Sequence, residues 1–143
     1  MILPDVNVLI YAFRADMPEY ARYRPWLERL YAGGERFAVS ELVLSAVLRI
    51  VTNPRAFPVT DPVDLVLAYL SALRDHPLAT VVRPGPAHWR HFSDLCRAAN
   101  ASGKLVADAY HAALAIEHGC TWVTTDRDFA RFPGLRWRHP LDA

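Results

Sequence analysis

The sequence predicts an α/β fold: a single domain over residues 1–143, with a central parallel β-sheet flanked by α-helices. Three observations predict it. Short apolar, strand-like runs alternate with helix-like runs of about 10 to 15 residues, the pattern of βαβ units. Turn-forming residues fall between the runs, at Gly33-Gly34, Asn53-Pro54, Arg83-Pro84-Gly85-Pro86, Asn100 to Gly103 and Pro133-Gly134. The 143 residues are 52% hydrophobic, enough for one core without disulfides or a structural metal.

Met1 to Leu3 is a short apolar opening. This first strand should finish by Leu3 or pair loosely there, because Pro4 has no amide to give a central ladder. Glu19 to Tyr31 reads as a helix, with Trp26, Leu27, Leu30 and Tyr31 at helical spacing. Arg36 to Val39 is the next strand, and Ser40 is placed to cap an apolar helix reaching about Val51. Asp61 as cap and Pro62 at the first helical position start a helix that runs to Arg74. Thr80 to Val82 follows as a strand and Pro86 to Ala99 as a helix. Leu105 to His118 is another helix, ended by Gly119 where a left-handed residue is wanted. Cys120 to Thr124 is a strand, and Leu135 to Trp137 an edge strand.

Several function classes drop out. No apolar run approaches the roughly 20 residues of a membrane span. The N-terminus lacks a basic leading segment, and Pro4, Asp5 and Asn7 break its apolar stretch, so no secretory leader is expected and the cytoplasm is the expected compartment. Cys96 and Cys120 lie far apart without metal-site spacing, as reduced thiols do. There is no G-x-S-x-G, P-loop or G-x-G-x-x-G, which disfavours serine hydrolases, NTPases and dinucleotide enzymes. The net charge of +1 neither demands nor excludes a nucleic-acid partner. Lys104 is the only lysine among sixteen basic residues. That bias has two readings, phosphate-matching arginine forks or a GC-rich coding sequence.

The acids carry the chemistry. In a parallel sheet, ligands bind beyond the carboxyl ends of the strands. Asp5 follows the first strand, Glu41 the second, and Asp126 and Asp128 the strand ending at Thr124, so these acids converge on one sheet edge. Asp108 sits in the first turn of a helix rich in small residues (Ala107, Ala109, Ala112, Ala113), which implies close packing. Clustered carboxylates repel and raise one another's pKa, so they persist where a cation compensates them. Oxygen ligands suit Mg²⁺ or Mn²⁺ rather than zinc, and such ions usually serve phosphate chemistry by orienting water and neutralising charge. Each acid alone also has a plain structural reading as a turn former or helix cap; their joint placement favours a site.

Three motifs now resemble a known family. Asp5-Val6-Asn7-Val8-Leu9-Ile10 resembles the opening of PIN domains, above all the VapC toxins of prokaryotic toxin–antitoxin pairs. Asp108-Ala109-Tyr110-His111-Ala112-Ala113-Leu114-Ala115 is similar to their third acidic motif, and Thr124-Thr125-Asp126-Arg127-Asp128-Phe129 to their fourth. The resemblance runs nearly end to end. It implies a Mg²⁺- or Mn²⁺-dependent endoribonuclease that cuts tRNA or another structured RNA, a homodimer, and a VapB-like antitoxin that blocks the site. It implies Asp5 and Asp108 as main metal ligands, Asp126 completing the cluster, Asn7 hydrogen-bonding nearby, and Asp128 or Thr125 in support. One motif departs: the family's second acid would fall on Ala46. Glu41 is the nearest acid, about 140° around the helix and about 7.5 Å along it, and is the candidate for a relocated ligand.

Other residues stay open between two readings. His111 shares a helix face with Asp108 and either meets substrate or packs. His88 and His91 are three apart with no third ligand in view. Arg127, Arg131, Arg136 and Arg138 either hold an RNA backbone or coat a solvated surface. Phe13, Tyr20, Tyr23 and Trp26 are a partner patch or core. Two rivals remain: a module on the same fold that binds RNA or an antitoxin peptide without cutting, and a dehalogenase-like phosphatase. The latter needs an acid where Asn7 stands.

Overall fold

In the computed structural model, which describes residues 1–142, strand β1 (Ile2–Pro4) pairs in parallel with β4 (Thr121–Val123). Strand β4 pairs in parallel with β5 (Trp137–Arg138). A second parallel ladder joins β2 (Phe37–Val39) to β3 (Ala79–Val81). Strands β1 and β2 pack side by side, but no ladder links them among the described residues. The expected parallel sheet is therefore present as two ladders that abut.

Strand β1 extends through Pro4, one residue past its expected end. The hydrogen bonds explain why the proline is tolerated. The Met1 carbonyl accepts from Thr121 N–H at 2.9 Å, and Asp5 N–H donates to the Val123 carbonyl at 2.9 Å. Rungs to β4 thus come from alternate residues, and Pro4 turns its missing amide away from the ladder.

Among the described residues six helices complete the fold: α1 (Val6–Phe13), α2 (Tyr20–Ala32), α3 (Glu41–Val51), α4 (Val63–Arg74), α5 (His88–Ala98) and α6 (Lys104–Glu117). Helix α1 has no signature in the periodicity, because nearly all its residues are apolar and no polar face contrasts with the buried one. Helix α2 runs through Pro25, which lacks the amide for a helical bond; burial of Tyr23 and Leu27 holds the helix together. Ser40 caps α3 as expected, its hydroxyl accepting from Val43 N–H. At α4 the cap is Pro62, not Asp61. The Asp61 carboxylate is instead taken by Arg14 at 2.9 Å.

The core is built on Leu3, Leu9, Phe37, Val43, Val47, Leu114, Trp122 and Phe129, all buried. On α6, Ala109, Ala112, Ala113 and Ala115 are fully buried, so the small residues do mark a close-packed face. Glu117 at the end of α6 accepts from the amides of Gly85 at 2.7 Å and Ala87 at 2.9 Å, pinning the entry to α5. A Cβ at Gly85 would lie 2.7 Å from that carboxylate. Tyr23 is buried and Phe13 stacks on Tyr69 at 4.7 Å, so these aromatics serve packing. Cys96 and Cys120 are free thiols, and among the described residues no helix is long and apolar enough to cross a membrane.

Arg14, just past α1, is buried and central to the other side of the molecule. It donates to Asp16, to Asp61, and to the Val59 carbonyl at 2.9 Å, and its guanidinium lies 4.0 Å over the Phe57 ring. One side chain thereby ties the loop before α4 to α1. Arg14→Ala should lower stability by about 2–3 kcal/mol, since it strands a charged partner and unmakes charge-assisted hydrogen bonds. Urea unfolding checks this; a loss below about 0.5 kcal/mol, the scale of an ordinary surface change, would show that the cluster is dispensable.

Candidate active site

The site starts at the ends of β1 and β4. Asp5 leaves the strand in an extended conformation and caps α1, its Oδ1 accepting from Val6 N–H at 2.6 Å. Its Oδ2 accepts from the Thr124 hydroxyl at 2.6 Å. Thr124 is fully buried, and its Oγ1 also accepts from Asp126 N–H at 3.0 Å. One threonine therefore fixes both strand-end acids. Asp126 caps a short 3-10 turn (Arg127–Arg131), accepting from Asp128 N–H at 2.9 Å. Asp108, in the second turn of α6, faces the same cleft, which measures about 330 Å³ and is also lined by Asn7, Ala46, Arg49, Lys104 and His111.

The electrostatics follow from burial and neighbours. Desolvation lifts the Asp5 carboxyl to about 6, against the pull of its hydrogen bonds from Thr124 and Val6; the charges of Asp108 and Asp126 add to the rise. Burial also raises Asp108, while the Lys104 ammonium draws it back. At Asp126 burial pushes upward too, but the Asp128 amide and Lys104 outweigh it, and the carboxyl sits below its ordinary value. Lys104 Nζ lies 3.1 Å from Asp108 Oδ2 and 2.9 Å from Asp126 Oδ2, and these partners keep it protonated.

Of the acids expected here, Asp5, Asp108 and Asp126 line one cleft. Glu41 does not join them. Its carboxylate is held by Arg74 at 3.0 Å and Arg83 at 3.0 Å on an exposed face, and the Arg74 bond foremost keeps its pKa low. The sequence placed Glu41 at the right strand end but could not foretell two arginines arriving from α4 and the β3–α5 loop. On α3 it is Ala46 and Arg49 that face the cleft. Support for the acids comes from Thr124 rather than Thr125, which makes no hydrogen bond among the described residues, and Asp128 contributes its backbone amide. Asn7 lines the cleft, and its Oδ1 is shielded from solvent without a partner among the described residues.

His111 also lines the cleft and stacks on Trp122, ring centres 5.4 Å apart; burial lowers its pKa to about 4. His88 is buried and spends its Nε2 on the Tyr110 carbonyl, which removes the His88/His91 pair as ligands. The arginine cluster disperses. Arg136 donates to the Gly119 carbonyl, and Arg138 shares a groove with Met1, Trp26 and Arg36 at the opening ends of the strands, away from the acids.

Among the described residues, no three His, Cys, Asp or Glu side chains form a ready metal cage. The donor set nonetheless fits a hard cation: three carboxylates and the Asn7 side chain belong to residues lining the cleft, and an ammonium already bridges two of the acids.

A folded carboxyl raised from 3.8 to about 6 favours the fold below pH 3.8, and that contribution is lost as pH rises to about 6. In EDTA at pH 7, Asp5→Asn should thus be more stable than the parent by about 1–3 kcal/mol. The advantage should shrink as pH falls toward 4. Thermal melting across this range checks it; a variant less stable at pH 7 would refute the burial argument.

Comparisons with known proteins identify the fold and the family. A profile of the PIN domain family matches residues 2–135. Ribonuclease VapC43 of Mycobacterium tuberculosis is 48% identical over 143 residues, covering 99% of this chain and 97% of that protein. Ribonuclease VapC25 of the same organism is 42% identical over 140 residues, covering 98% and 99%. Among solved structures, VapBC-1 from nontypeable Haemophilus influenzae aligns with a TM-score of 0.71 at 17% identity, over 99% of this chain and 100% of that one. M. tuberculosis VapC20, described as a sarcin-ricin loop cleaving toxin, aligns with a TM-score of 0.64 at 18% identity, over 95% and 99%. The likeness of fold, the matched domain and the full-length relatives lead to one conclusion: the chain belongs to the PIN domain family, in its branch of VapC ribonucleases.

Proposed function

We propose that the chain is a Mg²⁺- or Mn²⁺-dependent endoribonuclease, the toxin of a VapBC-like pair. It acts in the cytoplasm as a homodimer, on tRNA or another structured RNA, and a VapB-like antitoxin blocks it. The observation that carries this reading is the convergence of Asp5, Asp108 and Asp126 on one cleft, with Thr124 holding two of them.

Asp5, Asp108 and Asp126 would hold the ion. When bound, the ion neutralises charge on the scissile phosphate and lowers the pKa of the attacking water. The remaining roles fall to the protein. Thr124 keeps Asp5 and Asp126 in fixed orientation. Asn7 lines the cleft beside Asp5 and would hydrogen-bond near the site. Arg49 and Arg127, both exposed, contact the RNA backbone and position it without reading sequence. For the protein partners, the exposed Leu42, Val63, Leu65 and Leu67 on α3 and α4 supply apolar surface.

A second reading rests on Ala46. The cleft wall of α3 has no acid, so the chain could be a catalytically weak module that binds RNA or an antitoxin peptide. Cleavage assays on total tRNA separate the two. Cleavage should need Mg²⁺ or Mn²⁺, stop with EDTA, and fall at least about a hundredfold in Asp5→Asn and Asp108→Asn, beyond what the loss of a supporting residue costs. Parent-level cleavage by both variants would overturn the ligand assignment. No cleavage together with no Mn²⁺ binding at millimolar concentration would favour the binding module.

A further inference from the structure

Lys104 is the one lysine of the chain, and it opens α6 at the mouth of the acidic cleft. Most of its side chain is exposed (72%), yet its ammonium touches Asp108 Oδ2 and Asp126 Oδ2 together. Those two acids are proposed ligands of the ion, so any role for Lys104 toward that ion rests on the metal-dependent reading. A composition with arginine at every other Lys/Arg position keeps a lysine here. The difference matters. An arginine fork grips carboxylates in a fixed bidentate geometry, whereas an ammonium is a compact point charge on a flexible stem.

We propose that Lys104 is a tethered counter-ion: its ammonium occupies the cation position between Asp108 and Asp126 in the metal-free protein and is displaced when the divalent ion enters. A divalent ion drawn between the same two oxygens, at about 2.0–2.1 Å from each, would stand close to the place the ammonium fills, 2.9–3.1 Å from them, and two cations that near repel one another. The exposed stem is free to swing outward, because no hydrogen bond other than these two holds its tip among the described residues. Lys104 thereby sets how much metal the enzyme needs. It settles the repulsion of Asp108 and Asp126 while metal is scarce, and it must be outcompeted before the site is armed.

Calorimetric titration of the full chain with Mn²⁺ tests this on the parent, Lys104→Met, Lys104→Gln and Lys104→Arg. The Met and Gln variants should bind Mn²⁺ about three- to tenfold more tightly, the range that two partly exposed ion pairs allow. Lys104→Arg should bind no more tightly than the parent. In EDTA the Met and Gln variants should melt below the parent, so stability and metal affinity move in opposite directions, which a merely structural lysine would not produce. Should the Met variant fail to fold, the Gln variant is scored alone. Equal or weaker Mn²⁺ binding by the neutral variants, with measurable binding by the parent, overturns the role of Lys104 and leaves the metal-dependent reading standing. No Mn²⁺ binding by any of the four overturns both.

Discussion

The fold and the acidic cleft meet at one buried side chain. Asp5 ends β1, opens α1 and reaches across to β4 through Thr124. A charge withdrawn from water is expensive unless hydrogen bonds compensate it, and here two short ones offset only part of the cost, so burial still raises the carboxyl. Because Thr124 takes the Asp126 amide as well, the parallel pairing of β1 with β4 sets the spacing of the two strand-end acids. Strand register and the spacing of the cleft acids are thus the same constraint seen twice.

Much of this is legible in the sequence. Alternating runs point to the parallel sheet, and the rule that ligands gather at carboxyl ends of strands picks out Asp5 and Asp126, together with Glu41 and Asp128, from the chain alone. The alanine-rich setting of Asp108 foretells the tight packing of α6. The features that stay hidden depend on distant partners. Glu41 has the right position along the chain, but Arg74 and Arg83 claim it from other elements. Thr124 and Thr125 differ by a single step in strand phase, and strand ends are uncertain by about that much. Lys104 stands four residues before Asp108, a spacing that allows a helical ion pair, yet only the fold brings Asp126 to the same ammonium. Asp61 satisfies every local rule for a helix cap and is overruled by Arg14, more than forty positions away in sequence.

Charge is handled in two distinct ways on the two halves of the molecule. Around Arg14 the ions are locked: a rigid guanidinium, buried, shared among two carboxylates, a carbonyl and an aromatic face. In the acidic cleft the compensation is loose, a lysine tip on an exposed stem. The first arrangement stiffens a loop. The second leaves the carboxylates partnered by an ammonium that no other hydrogen bond holds among the described residues.

The gap between the two ladders has a consequence for the cleft. Its acidic wall belongs to β1, β4 and α6, while the wall with Ala46 and Arg49 belongs to α3, which follows β2. Strands β1 and β2 share side-chain packing but no ladder among the described residues. The cleft therefore straddles a seam closed by side-chain packing rather than by backbone hydrogen bonds. The distance across the cleft is accordingly set by the side chains that fill the seam, whereas the spacing between Asp5 and Asp126 is set by the β1–β4 ladder.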